Sequence, residues 1–221
     1  MASITPDAVL GNAAIRTYIE MADASLSALG YTEHSFAHVG LVADRAGAIL
    51  SALGRSEREV ELARIAGLLH DIGNIVNRAG HSQSGALLAF HLLGELGMSP
   101  AETAAVVTAI GNHDEGDGEA VSDIAAALIL ADKSDVRRSR VRNSDPTAFD
   151  IHDRVNFSVI SSALTVDAAK QRVELSLTID TAVSPVLDYF EIFLERMLLC
   201  RRAARRLGLA FGLVINESVM L

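Results

Sequence analysis

The amino-acid sequence predicts a mainly α-helical protein that closes with a small α+β appendage built on an antiparallel sheet. Three observations predict it. Up to about residue 142, apolar residues recur at three- and four-residue spacing between Ser, Asp, Gly and Pro punctuation, the pattern of successive amphipathic helices. After Pro146, two short runs rich in β-branched residues replace that period. Half of the 221 residues are hydrophobic, enough for a sizeable core without covalent staples. The chain is therefore read as a helical domain over 1–145 and an appendage over 146–221.

Thr5 followed by Pro6 starts a helix that runs to about Leu29, where Gly30 ends it. Val39, Val42, Ala46, Ile49 and Leu53 mark the apolar face of a second helix, up to Gly54. Ser56 and Glu59 have capping-box spacing and open an apolar helix, Val60 to Leu69, that delivers His70 and Asp71 at its end before Gly73 stops it. Another covers Ser82 to Leu96 and closes at Gly97. Ser99-Pro100 with Glu102 begins the next, which ends near Gly111-Asn112 and leaves His113 just beyond. Ser122 and Asp123 cap a long helix that passes Asp132 and continues into the basic run ending at Arg142. In the appendage, Phe157 to Val166 and Val173 to Ile179 read as strands joined by a turn at Asp167-Ala168-Ala169-Lys170. A helix from about Pro185 to Leu207 and a final strand, Leu209 to Ile215, complete the expected fold.

Composition narrows the function. A formal net charge of −9 repels long nucleic acid, so an anionic substrate has to be held by local cations, bound metal or both. The longest apolar runs, such as Ile124 to Ala131, fall far short of the roughly 20 residues that cross a bilayer, and no membrane partner is expected. A single cysteine, Cys200, excludes an intramolecular disulfide, and no basic segment with an apolar core and cleavage site opens the sequence. A reducing cytoplasm is the expected location, and a small phosphorylated metabolite or nucleotide the expected partner.

The chemistry lies in the histidines between Tyr31 and Asp114, most of them at helix ends beside Gly, Asn or Asp. His70 and Asp71 enter an apolar interior together, and Asp132 follows the apolar run Ile124 to Ala131. A buried, unpaired carboxylate costs several kcal/mol, which a divalent cation offsets. Imidazole and carboxylate donors without a nearby thiolate suit one or two ions of Fe, Mn, Zn, Co or Ni, with Mg also accommodated.

The ordered series His38-Val39-Gly40-Leu41-Val42-Ala43, Leu68-Leu69-His70-Asp71-Ile72-Gly73 and Ala131-Asp132-Lys133 resembles the His, His-Asp, Asp signature of the HD superfamily of metal-dependent phosphohydrolases, over about Glu33 to Arg142. The resemblance implies an all-helical HD-type bundle in which His38, His70, Asp71 and Asp132 hold metal. His81 and His113-Asp114 are similar to the HD-GYP branch, where such positions supply a second metal. The sequence departs from that branch: Asp114 stands for a second His, Glu119-Ala120-Val121 for Gly-Tyr-Pro, and His34 where some members have Glu. His34 and Asp114 are thus further candidate ligands, whereas cyclic-di-GMP cleavage is not implied.

The resemblance implies a phosphohydrolase in which metal-activated hydroxide attacks phosphorus, with Asp71 suited to bridging two ions. Lys133 is the candidate for stabilising phosphoryl charge, and Lys133 and Arg137 for binding substrate phosphate, since helical spacing puts them, with Arg140, on one face. His91, among Leu87, Leu88, Leu92 and Leu93, is read as a packed core residue, and His152 as a linker residue outside the site. Arg201, Arg202, Arg205 and Arg206 suit the dipole at the end of the late helix. Two other readings use the same residues: a sensor of a phosphorylated ligand with little turnover, and a di-iron oxygenase. The appendage is expected either to pair two copies into a homodimer through its edge strand or to cover the pocket.

Overall fold

A computed structural model describes residues 3–221 and contains nine α-helices and four strands among them. The chain starts with α1 (Pro6–Gly11) and α2 (Ala13–Ala28), where the sequence predicts one helix. The break lies at Asn12, whose side chain accepts from the Ala14 and Ile15 amides and so caps α2 anew. Then follow α3 (Phe36–Ala52), α4 (Glu57–Leu69), α5 (His81–Glu95), α6 (Pro100–Gly111) and α7 (Asp123–Lys133). Three of their starts are the expected ones: the Ser56–Glu59 capping box opens α4, and Ser99 and Ser122 cap α6 and α7. The segment Ile124 to Ala131 of α7 is buried throughout, which explains its uninterrupted apolar sequence. Helices α3, α4, α6 and α9 pack around it.

Two glycines permit the approaches that bring the site together. A Cβ at Gly67 would stand 2.6 Å from the Ala43 Cα, so its absence lets α4 lie directly on α3. A Cβ at Gly73 would stand 2.0 Å from the His81 carbonyl, so only glycine lets the short 3₁₀ turn Ile72–Ile75 lie against the start of α5.

Helix α7 ends at Lys133 and does not continue to Arg142. Asp135 bonds His38 and Arg137, and the Arg140 guanidinium is buried against the backbone carbonyls of Glu33 and Asp135. The basic run is folded inward around a carboxylate. Lys133, Arg137 and Arg140 consequently do not share a helical face.

The remainder comprises α8 (Ile151–Ser158), β1 (Val159–Asp167), β2 (Arg172–Ile179), α9 (Val186–Arg206), β3 (Ala210–Ile215) and the two-residue β4 (Ser218–Val219). The expected strand from Phe157 begins two residues later, because Asp150 caps α8 through the Asp153 amide. The sheet, in order β1-β2-β3-β4, is mixed rather than antiparallel: β1 and β2 form a hairpin, but β3 runs parallel to β2. Helix α9 is the crossover that parallel pairing requires. It also packs on α7 and α8, so the C-terminal segment meets the helical body. No helix among the described residues is long and apolar enough to cross a membrane.

Candidate metal centre

The C-terminal end of α4 presents His70 and Asp71, the first turn of α3 His38, the start of α5 His81, the chain just after α6 His113, and the last turn of α7 Asp132. Although 94 residues separate the outermost two, His38 and Asp132, their donor atoms are 3.4 Å apart. His38 Nε2 lies 3.2 Å from His70 Nε2 and 3.4 Å from Asp71 Oδ2. His70 Nε2 lies 3.2 Å from Asp71 Oδ2 and 3.7 Å from Asp132 Oδ1. Two donors each about 2.1 Å from one cation stand about 3.0 to 3.4 Å apart at right-angle to tetrahedral spacing, so this set fits a single divalent ion.

A second set adjoins it. His81 Nε2 is 3.1 Å from His113 Nε2 and 3.5 Å from Asp71 Oδ1. Asp71 therefore turns one carboxylate oxygen to each set. Among the described residues, the donor groups close enough to share an ion are His38–His70–Asp71, His70–His113–Asp132 and Asp71–His81–His113.

The tautomers are set by the partners of the other ring nitrogens. His70 Nδ1 donates to the Gly67 carbonyl (2.8 Å), His81 Nδ1 to Arg78 (3.1 Å) and His113 Nδ1 to Ile110 (2.6 Å), while His38 Nδ1 faces Asp135 Oδ2 at 2.7 Å. Each Nε2 is left pointing at the centre, the arrangement that outer-shell partners impose on metal-ligating imidazoles. Burial, reinforced by the charges of His70 and Lys133, pushes His113 down to about 3, and burial also lowers His81. Both rings are thus neutral near pH 7 and aim lone pairs at each other across 3.1 Å, an unfavourable contact that a cation between them relieves. Burial opposes protonation of His70 too, but the charges and hydrogen bonds of Asp71 and Asp132 outweigh it and push its pKa up to about 10. Asp71 is buried and Asp132 largely enclosed, which by itself raises a carboxyl pKa, yet the histidines and, for Asp132, Lys133 hold both well below the usual carboxylate range.

Asp71, His81, His113 and Asp132 of the centre line a cavity of about 510 Å³ that is also lined by Tyr31, Arg78, Arg140, the α8 cap Asp150 and the α8 residues His152, Asp153 and Asn156. His34 lines it as well, its Nδ1 donating to the Thr32 carbonyl at 2.6 Å, but its ring stands outside the three donor groups. Asp114 also stands outside them, 3.8 Å from Lys133 Nζ. Lys133 lines the cavity and is bound to Asp132 Oδ2 (2.8 Å) and Glu115 Oε2 (2.6 Å). Arg137 is turned to Glu33, Asp135 and Ser139 and is not part of the lining. His91 is exposed and paired with Glu95 on the outer face of α5, so it is neither a core residue nor near the centre. His152 reaches the cavity after all, brought there by α8. Sequence reasoning missed Asp135, Glu115 and Arg196; the three-residue step from Asp132 to Asp135 was the one local signal, whereas the others depend on the packing of α9.

Residues 35–142, which contain all six donors of the centre, match the model of the HD domain. The chain belongs to the HD superfamily. Its HD domain groups it with metal-dependent phosphohydrolases. It is 31% identical over 174 residues to Ribonuclease Y of Mycoplasma mycoides, across 76% of this chain and 38% of that protein. It is 34% identical over 113 residues to Ribonuclease Y of Oceanobacillus iheyensis, across 51% and 20%. An uncharacterised protein of Methanocaldococcus jannaschii is 25% identical over 209 residues, across 84% of this chain and 78% of its own length. This HD-superfamily chain thus spans well under half the length of the ribonucleases it resembles.

Proposed function

We propose that this HD protein hydrolyses a small phosphate ester, most simply a nucleotide, at a centre for two divalent cations. The observation that carries the reading is Asp71 turning one oxygen to His38 and His70 and the other to His81, beside two neutral imidazoles that face each other. His38, His70, Asp71 and Asp132 would hold one ion, and Asp71, His81 and His113 the other. When bound, such cations lower the pKa of coordinated water toward neutrality and polarise a phosphoryl oxygen. The chain's own part is to fix the donors. Asp135 orients His38, the carbonyls of Gly67, Arg78 and Ile110 orient the other three imidazoles, and Lys133 balances the charge of Asp132. A cavity of about 510 Å³ lies within the range of small-ligand pockets.

The likeness to Ribonuclease Y favours an RNA phosphodiester as a second reading. Against it stand the net charge of −9 and the carboxylates Asp150 and Asp153 in the cavity wall, which repel the phosphates flanking a scissile bond.

The test is metal content by elemental analysis of protein purified without chelator, then phosphate release from a panel of nucleotides and sugar phosphates, and cleavage of an RNA oligonucleotide, each with Mn, Fe, Co or Mg. Two equivalents of metal with monoester turnover is the expected result. Cleavage of RNA alone would replace the small ester by the second reading. Tight nucleotide binding by metal-loaded protein without consumption would make the domain a sensor.

A further inference from the structure

Four cationic side chains line the cavity: Arg78, Lys133, Arg140 and Arg196. Two are committed: Lys133 is nearly enclosed among carboxylates, and Arg140 gives Nε and Nη1 to backbone carbonyls. Arg78 leans over the Tyr31 ring with only Nη1 near Asn74 and His81, at 3.4 Å each, and no carboxylate hydrogen bond fixes its plane.

Arg196 differs. It comes from α9, outside the residues that match the HD domain. Its Nε donates to Glu115 Oε1 at 2.7 Å, and its Cζ sits 4.3 Å from the centre of the Phe193 ring. A carboxylate at one edge and an aromatic face fix the guanidinium plane. Neither Nη nitrogen has a protein acceptor among the described residues, although the side chain is only 22% exposed. Lys133 Nζ donates to both Glu115 Oε2 and Asp132 Oδ2, so a continuous chain of charges runs from the donor carboxylate Asp132 to Arg196. A positioned guanidinium with two free N–H groups on one edge matches two oxygens of a phosphoryl group, which a lysine's point charge does not.

Resting on the phosphohydrolase reading above, we propose that Arg196 is the residue that binds the substrate's phosphoryl oxygens, and that the C-terminal segment thereby completes the HD site. Glu115 and Phe193 hold it in place. Phosphate recognition thus falls to Arg196 and not to Arg137, which is tied to Glu33 and Asp135.

The test is calorimetric titration of inorganic phosphate into metal-loaded full-length protein, with the metal content of every variant measured alongside. Arg196→Gln is expected to weaken phosphate binding about 10- to 100-fold, the usual cost of a lost charged hydrogen-bond pair, with metal content unchanged. Arg196→Lys, which keeps the charge beside Glu115 without the fork, should fall between the two. The double variant Arg196→Gln, Glu115→Gln removes both members of the pair and separates the roles. If Arg196 only neutralises Glu115, the double variant regains wild-type phosphate affinity; if Arg196 binds phosphate, it does not. Wild-type affinity in metal-replete Arg196→Gln, or its recovery in the double variant, overturns the assignment. A wild-type protein that binds phosphate through Arg196 yet hydrolyses no ester would sink the hydrolase and leave the anion site standing.

Discussion

The two halves of the donor cluster reach similar spacing through opposite electrostatics. Around His38 and His70, the carboxylates of Asp71, Asp132 and Asp135 outweigh burial and raise both imidazoles, so this half is built to hold positive charge. Around His81 and His113, burial wins and both imidazoles stay neutral, with one oxygen of Asp71 as the sole carboxylate donor in their group. Lys133 and Arg78 add repulsion on that side. A cation in the first half meets concentrated negative charge, and one in the second meets mainly lone pairs. On the two-cation reading proposed above, the second half is expected to bind its ion more weakly, with Asp71 coupling the two.

Asp71→Asn breaks the comparison most severely, because it removes charge from both halves. Metal content by elemental analysis should fall to a trace, and the loss of activity should exceed the about 10- to 100-fold typical of removing an outer-shell partner. Retention of a full complement of metal would show that Asp71 is not shared. His81→Ala sharpens the comparison instead. It should cost one equivalent and leave the ion between His38, His70 and Asp132, whereas His38→Ala should deplete both. Equal metal loss in the two variants would contradict the asymmetry.

How much of this was legible beforehand depends on the range of the interactions. Helix starts at Ser56, Ser99 and Ser122 were readable because a cap is made within three residues. Asn12 carried the same kind of local signal, yet the apolar period on either side concealed it. The end of α7 was not readable, since it is set by contacts of Asp135 with His38 and of Arg140 with Glu33, about a hundred residues away. The parallel pairing of β2 with β3 had a signal, a long helix between two strands, that outweighs the general preference for antiparallel neighbours. The donor residues stood out because histidine and aspartate beside apolar runs need a partner. Glu115 and Arg196 did not, because a charged residue in a helix or loop is ordinary until packing encloses it.

Asp135→Asn tests the support of the charged half without touching a donor. An asparagine oxygen can still accept from His38 Nδ1, but the negative charge that raises the imidazole and pairs with Arg137 and Arg140 is gone. Metal affinity, measured by competition with a chromophoric chelator, should fall about 10- to 100-fold. The His81 side should be affected only through Asp71 and less than the His38 side, so a variant that loses its more weakly held ion first and to a greater extent than wild type would assign Asp135 a wider structural role.

The smallest effect concerns the neutral half in chelator-treated protein. His113 stays unprotonated in the folded chain down to about pH 3, whereas an unfolded histidine takes up its proton near about pH 6.5. Between those values the unfolded state binds more protons, so the contribution of His113 to stability is present above the unfolded pKa and is lost as pH falls through that window. His38 and His70 act in the opposite sense, since their raised values favour the folded state as pH falls toward the unfolded pKa. The net slope mixes both, and a difference between variants isolates one. Going from pH 7 to pH 6, urea unfolding of wild type should lose about 0.7 kcal/mol relative to His113→Gln, the amount that a group neutral in the native state and titrating near 6.5 in the unfolded one contributes. Parallel stability curves for the two proteins would mean that His113 titrates in the folded state, and the lone-pair contact with His81 would no longer require a cation.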